Sequence, residues 1–382
     1  MGGKALIITS DDWYFLSHRI PVAAAAKEMG MGVVIVTASG KQSEKITAIG
    51  YRHIAVQSLN REKRGVLVGL RAVRDLAALF RSETPDIIYS VSLRYAVLSA
   101  AAAWSVPKTV VINLIPGLGF IFSSERAMAR LLKPIVVLVM RCLFHNPRVN
   151  IVVQNRDNLT FFRSKIGIPS ARISLIPGSG VDVGRFASSS PPPEGTPVVA
   201  LVGRMLWSKG VGEFVDAAIS LREKGLSVRM ALVGVPDAAN PDSVPLEILR
   251  RWDREKVVEW WGFQDDIADV WKRAAIGVFP TWYGEGIPKS LLEAGACGRP
   301  VIATNVAGCR DVIEHESNGL LIQPRSSEEL VGAIVRLLNE APMRAQMGER
   351  LAKLVRERFD DKTVQDETRR LMMDLVSPIN SS

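Results

Sequence analysis

Residues 275–293 read Ala275-Ile-Gly-Val-Phe-Pro280-Thr-Trp282-Tyr-Gly284-Glu285-Gly286-Ile-Pro288-Lys-Ser-Leu-Leu-Glu293. The run 275–280 has the length and apolar character of a buried strand. Leu291, Leu292 and Ala294 follow at helical spacing, and Cys297-Gly298-Arg299-Pro300 stops the helix. Pro288 suits a first helical turn, where its missing N–H costs nothing. Gly284 and Gly286 let the backbone turn sharply and come close to a ligand. A strand, a glycine-containing loop and a helix N-terminus together make an anion site, because unpaired N–H groups point outward. Two carboxylates bracket it, Glu285 in the loop and Glu293 on the helix. A carboxylate repels phosphate but accepts hydrogen bonds from hydroxyl groups. As a bare pair the two acids mean little; their setting between strand and helix makes them specific.

The same strand–loop–helix alternation extends outward in both directions. Upstream, residues 5–9, 33–37, 87–91 and 110–112 read as strands, with amphipathic helices near 20–29, 66–80 and 94–104. Residues 151–154 and 173–176 add two more strands, and Ile176-Pro-Gly-Ser-Gly-Val-Asp-Val-Gly-Arg-Phe186 breaks regular structure. Ser188-Ser-Ser-Pro-Pro-Pro-Glu-Gly-Thr-Pro197 is a linker by composition. The alternation then restarts, with strands expected at 198–202, 229–233, 257–261, 276–279, 301–304 and 320–322. A last, charged helix is expected to run from about 328 to 376. This is the pattern of parallel α/β sheets. The expected division is a Rossmann-like domain over 1–186, a linker over 187–197, a second Rossmann-like domain over 198–358, and a C-terminal helix within 359–382 that packs back on the first domain.

A chain of 382 residues, 47% hydrophobic and 23% charged, can build two sizeable cores. Cys142, Cys297 and Cys309 are odd in number and lack metal-like spacing, which favours a reducing compartment. The four histidines are scattered and no Asp-x-Asp occurs, so no protein-held metal is expected. The first apolar run is too short for a signal peptide and reads as a strand; no run is long enough to span a bilayer. Charge is uneven. Residues 1–186 carry 24 Lys and Arg against 11 Asp and Glu, and the remainder 24 against 28, so the net +9 divides into +13 and −4. The excess points to a polyanionic partner of the first half.

Two basic amphipathic segments carry that excess. Residues 61–74 are one; residues 126–148, with Arg130, Lys133 and Arg141 among leucines and valines, are the other. Such helices either lie in an anionic membrane interface or pack one face on a sheet and leave their charges in water. Nucleic acid is not expected, since no aromatic platform or recognition motif accompanies the charge.

Gly203-Arg204 and Lys209-Gly210 lie in a loop between a strand and a helix. Alone they read more readily as a solvated basic loop. With the Glu285 loop expected nearby, at the carboxyl ends of strands in the same sheet, they read as cations for a diphosphate. In Glu259-Trp-Trp-Gly262-Phe263, the backbone at Gly262 can read a base edge while an aromatic neighbour stacks; core packing of Trp260 or Trp261 is the alternative. His18-Arg19 is expected to open the first helix, holding a phosphate or an acceptor group, or merely capping. No Gly-x-Gly-x-x-Gly follows the first strand, which argues against a nicotinamide enzyme.

Together these motifs resemble the retaining glycosyltransferases of family 4, which have the two-domain GT-B fold. The residues that carry the resemblance are Pro177-Gly-Ser-Gly-Val-Asp182, Gly203-Arg-Met-Leu-Trp-Ser-Lys-Gly210, the Glu285/Glu293 pair and Glu293-Ala-Gly-Ala-Cys-Gly-Arg-Pro300. Ser17-His18-Arg19-Ile20-Pro21, residues 63–69, Pro85-Asp-Ile-Ile88 and Gly117-Leu-Gly-Phe-Ile-Phe122 resemble the branch that builds capsule, O-antigen and lipid-linked oligosaccharides. The resemblance implies two Rossmann-like domains facing across a cleft. It further implies a UDP-linked hexose or N-acetylhexosamine donor, a polyprenyl-diphosphate-linked saccharide acceptor, no cofactor beyond the donor, and a peripheral cytoplasmic place on the inner face of the plasma membrane. Arg204 and Lys209 then bind the donor diphosphate, with Gly203, Gly262 and Phe263 also on the donor. Glu285 meets the transferring sugar, the backbone N–H groups of Gly286, Ile287 and Pro288 line it, and Glu293 bonds the ribose. His18, Arg19 and Asn113 fall on the acceptor side; Asn113 is the nearest match to a histidine that many members carry after the fourth strand. A 2-epimerase of nucleotide sugars shares this architecture but needs no lipid acceptor, and a non-catalytic subunit needs no turnover.

Overall fold

Two all-parallel sheets organise the chain. The first has the order β3-β2-β1-β4-β5-β6-β7, from β1 (Lys4–Ile8), β2 (Gly32–Thr37), β3 (Arg52–Ala55), β4 (Ile87–Val91), β5 (Val110–Ile115), β6 (Val149–Val153) and β7 (Ile173–Leu175). The second has the order β10-β9-β8-β11-β12-β13, from β8 (Val198–Val202), β9 (Arg229–Val233), β10 (Glu259–Gly262), β11 (Ile276–Phe279), β12 (Val301–Thr304) and β13 (Leu320–Ile322). The computed structural model describes residues 2–38, 40–63, 65–119, 122, 127–187, 194–284 and 286–377, with the backbone alone at 127–129. Two units result, Met1–Ser179 with Lys362–Ser382, and Gly180–Asp361.

The strands are runs of Val, Ile, Leu and Ala because helices cover both faces of each sheet. In the first unit Leu6, Ile8, Ile88, Val111 and Ile151 face the helices Val66–Glu83, Leu93–Ala102 and Ala127–Phe144. Ala5, Ile7, Ile35, Tyr89 and Ile112 face the opposite way, onto the helix Ile20–Glu28 and the final helix Asp361–Val376. In each sheet the connections run outward one way from the first strand and then return to its other side. The crevice at the strands' carboxyl ends therefore opens between β1 and β4, and between β8 and β11.

Several expectations need adjustment. The units divide at 179/180 rather than at 186, because Val181 bridges Asp360, donating to Phe359 O at 2.9 Å and accepting from Asp361 N at 3.1 Å. The final helix does pack on the first unit, burying Val364 and Met372 there, with Arg369 3.6 Å from Glu28. The long helix expected over 328–376 is three helices, Ser327–Asn339, Ala341–Arg358 and Asp361–Val376. Pro342 lacks the N–H to continue the first of them, and Asp360 joins the bridge instead of a helix. The edge strand β3 escaped notice because Arg52 and His53 mask its pattern; Arg52 and Lys4 both bond buried Glu83, whose carboxyl these cations hold below the usual range. Residues 188–193 of the linker and Phe120 and Ile121 of the 117–122 motif lie outside the described residues. No helix among the described residues is long and apolar enough to cross a membrane.

Candidate functional site

The second unit builds its site at the carboxyl ends of β8 and β11. After β8 the chain passes Gly203 and Arg204, makes a turn of 3-10 helix at Trp207–Lys209, and enters the helix Val211–Glu223 through Gly210. Gly210 has φ 77°, and a Cβ there would collide with the Pro280 carbonyl at the end of β11. Glycine is required on both counts. Gly234, after β9, likewise gives way to the carbonyl of Gly203.

The loop after β11 is tied directly to the loop after β8. Trp282 N–H donates to Ser208 O at 3.1 Å, Thr281 Oγ1 to the same oxygen at 3.0 Å, and the Trp282 indole N–H to Trp207 O at 2.9 Å. From below, Thr304 Oγ1 at the end of β12 donates to Thr281 O. The Arg325 guanidinium lies over the Trp282 ring at 4.3 Å, so one tryptophan joins the loops after β8, β11 and β13. The loop that carries Arg204 and Lys209 is therefore bonded, through Trp207 and Ser208, to Thr281 and Trp282 ahead of the 284–288 segment, within one unit.

On the other flank, residues 235–244 brace the first loop. Arg204 Nη1 lies 2.9 Å from Asp237 Oδ2, Ser208 N–H donates to Asp242 Oδ2 at 2.9 Å, and Met205 O accepts from Val244 N–H at 2.9 Å. Asp237 is 7% exposed. A guanidinium has five N–H donors in a fixed fork, so a partner on one side orients the others. Sequence reading missed Asp237 and Asp242; the two aspartates in the stretch after a strand's Gly234 were the available signal.

Glu285 lies outside the described residues. Gly286, Ile287 and Pro288 beside it are buried, and Ile287 anchors the segment in the core. Pro288 caps the helix Lys289–Ala296 and has no N–H, so of the three expected backbone donors only Gly286 and Ile287 qualify. Glu293, on that helix, has a different neighbourhood. Burial pushes its carboxyl up, against the opposing pull of Lys289, Arg185 and the Trp271 indole, while Asp361 adds to the rise. Gly262 ends β10 with φ 63°, its carbonyl accepting from Gly234 N–H at 2.8 Å, and Phe263 beyond it is 66% exposed. Trp260 and Trp261 pack against the core, as the alternative held.

In the first unit His18 closes the helix Asp12–His18 instead of opening one, and Arg19 sits between it and Ile20–Glu28. Tyr14 organises the pair: His18 stacks on its ring at 4.6 Å, and buried Arg19 donates to its hydroxyl at 2.8 Å. Asn113 is not with them. It lies inside β5 rather than after it, fully buried, with its Oδ1 accepting from Ser90 Oγ at 2.6 Å. It pairs with Ser90 and Ile151 in register, and Ser90 with Ile8; Ile8 and Ile151 of this row face the opposite side of the sheet from Tyr89, whose hydroxyl feels the charge of Arg19. No group of three or more His, Cys, Asp or Glu suited to a metal ion occurs among the described residues.

Comparison with known proteins places this geometry. A family model for "Glycosyl transferase 4-like" matches residues 4–145, and one for "Glycosyl transferases group 1" matches residues 196–340. The chain is 26% identical to the N,N'-diacetylbacillosaminyl-diphospho-undecaprenol alpha-1,3-N-acetylgalactosaminyltransferase of Campylobacter jejuni, covering 89% of this chain and 92% of that one. It is 22% identical to an Escherichia coli UDP-Gal:alpha-D-GlcNAc-diphosphoundecaprenol alpha-1,3-galactosyltransferase, over 71% of each. Among solved structures, sucrose-phosphate synthase from Thermosynechococcus elongatus superposes with a TM-score of 0.80 at 20% identity, over 98% of this chain and 100% of that one. Anabaena Alr3699/HepE in complex with UDP and glucose superposes with 0.76 at 18%, over 97% and 99%. The fold is that of the GT-B glycosyltransferases. With the 4-like model on its first sheet and the group 1 model on its second, the chain belongs to the glycosyl transferases.

Proposed function

We propose that this protein transfers a hexose or N-acetylhexosamine from a UDP-linked donor to a polyprenyl-diphosphate-linked saccharide, with retention of anomeric configuration. The observation that carries the reading is the bonding of two loops at the crevice between β8 and β11: Trp207 and Ser208, which lie between Arg204 and Lys209 in the chain, are tied to Thr281 and Trp282, a few residues ahead of the helix Lys289–Ala296. In this reading Arg204, oriented by Asp237, and Lys209 stabilise the charge of the departing diphosphate, and the helix N-terminus adds its dipole. No protein-held metal or cofactor is required. Glu285 engages sugar hydroxyls, Glu293 the ribose, and Gly262 with Phe263 the base. Attack proceeds on the face the leaving group departs from, and the leaving phosphate helps deprotonate the acceptor; neither glutamate acts as a covalent nucleophile. Acceptor binding is assigned to the first unit, with the His18–Tyr14–Arg19 cluster as its polar contact. The basic character of that unit supports work at an anionic inner-leaflet surface. The names of the relatives support the lipid-linked acceptor.

Incubating the protein with a panel of nucleotide sugars and a lipid-diphosphate saccharide, and reading products by mass, tests this. One added sugar on the acceptor is expected. Arg204→Ala and Lys209→Ala should each lower kcat by about a hundredfold or more, as loss of a charge-stabilising donor does. Turnover intact in both variants, or conversion of the donor without any acceptor, would sink the proposal.

A further inference from the structure

Two helices of the first unit are apolar on both sides. In Ala127–Phe144, Met140 and Phe144 are buried against the sheet. At about 100° per residue, Leu131, Ile135 and Leu138 fall on the opposite side, where they are 74%, 57% and 61% exposed. In Val66–Glu83, Ala72, Leu76 and Phe80 face the sheet, while Leu67 and Leu70, 82% and 62% exposed, stand opposite. Leucines in such numbers on one side of a surface helix are not the scattered exposure every protein has.

The two stripes form one face. Val66–Glu83 leads from β3 to β4 and Ala127–Phe144 from β5 to β6, so both crossovers move the same way along the sheet. They cover its same side, with Leu93–Ala102 between them. Charge completes the pattern. Leu67, Leu70, Arg71 and Arg74 line an open groove of about 400 Å³, and Arg130 is exposed at the start of the other stripe. Asp75 lies 3.9 Å from Arg71 and 3.6 Å from Arg74, leaving the pair net positive. Apolar side chains rimmed by arginines match the boundary between acyl chains and anionic headgroups. A second copy fits less well, because a two-fold contact would set the basic rim against itself.

We propose that this double stripe docks the protein on a bilayer, with Leu67, Leu70, Leu131, Ile135 and Leu138 in the acyl boundary and Arg71 and Arg74 on anionic phospholipid headgroups. The inference rests on the reading that the acceptor is lipid-linked, and it names the surface that reaches it.

Cys142 supplies the probe. It follows Leu138 on the same stripe and is exposed, whereas Cys297 and Cys309 are buried. An environment-sensitive fluorophore on Cys142 should shift to the blue when equimolar phosphatidylglycerol–phosphatidylcholine vesicles are added, and the shift should survive in part at high salt. The triple variant Leu131→Ser/Ile135→Ser/Leu138→Ser should bind those vesicles about tenfold more weakly or worse. Arg71→Gln/Arg74→Gln should lose the preference for phosphatidylglycerol over phosphatidylcholine alone. No vesicle binding, binding that leaves the fluorophore unshifted, or complete release by salt would overturn the proposal. So would self-association that shifts the fluorophore without lipid, since a second copy then covers the stripe. Transfer to a short-chain, water-soluble acceptor, run in parallel, keeps the two ideas apart. Stripe variants should retain it, and its absence in the wild type would count against glycosyl transfer alone.

Discussion

The indole N–H of Trp282 donates to the carbonyl of Trp207 at 2.9 Å, joining residues 75 apart in sequence. The same ring lies beneath Arg325 at 4.3 Å, and its backbone N–H bonds Ser208. The segment leading to Glu285 thus starts from a residue held in three directions. Trp282→Phe keeps a ring for Arg325 but deletes the indole bond. Stability should fall by about 1 kcal/mol in urea unfolding, and donor KM should rise severalfold. An unchanged donor KM would show that the tie does not position the loop.

Asp237 acts on the site through Arg204. Asp237→Ala leaves the arginine charged but no longer oriented, so donor KM should rise about tenfold, a cost of the size of one charge-assisted hydrogen bond. The loss should be smaller than that of Arg204→Ala, and Asp237→Asn should recover part of it. Equal losses in Asp237→Ala and Arg204→Ala would indicate that the carboxylate itself does chemistry.

Gly210→Ala places a Cβ against the Pro280 carbonyl at a φ of 77°. Strain and collision together should destabilise the second unit by roughly 2–3 kcal/mol. A melting temperature equal to the wild type's would refute the close approach of the two loops.

The raised pKa of Glu293 has a definite sign. Its carboxyl is protonated in both folded and unfolded chains below the ordinary glutamate value of 4.5. As pH rises past that value the unfolded chain ionises first, and the stability contributed by the buried neutral form is lost as pH climbs through the higher folded value. Glu293→Gln removes that dependence. Compared by chemical denaturation at about pH 5 and about pH 8, the variant should gain on the wild type at the higher pH. A constant difference between the two would contradict an enclosed carboxyl.

Much of the frame was legible beforehand. The strands at 87–91, 198–202, 229–233, 276–279, 301–304 and 320–322 were read to the residue. A strand buried on both faces is a short apolar run with polar or glycine ends, which is a local signal. Edge strand β3 lacked it, and so was invisible. The 3-10 turn at Trp207–Lys209 and the entry through Gly210 were legible as a loop only, since their geometry answers to Pro280 in a distant segment.

Sequence by itself determined the class of this protein: alternating strands and helices in two sets, a glycine-flanked acidic loop, and an arginine and lysine after a strand. These are local in the chain, and local chemistry specifies them. Only the tertiary structure decided what each meets. It paired Arg204 with Asp237, put Trp282 at the junction of three loops, and set Asn113 on the far side of the sheet from Arg19. It also turned Leu67, Leu70, Leu131 and Leu138 outward. The physical reason is common to all four. Strand order and crossover hand determine which face and which neighbour a residue has, and neither is written at the residue itself.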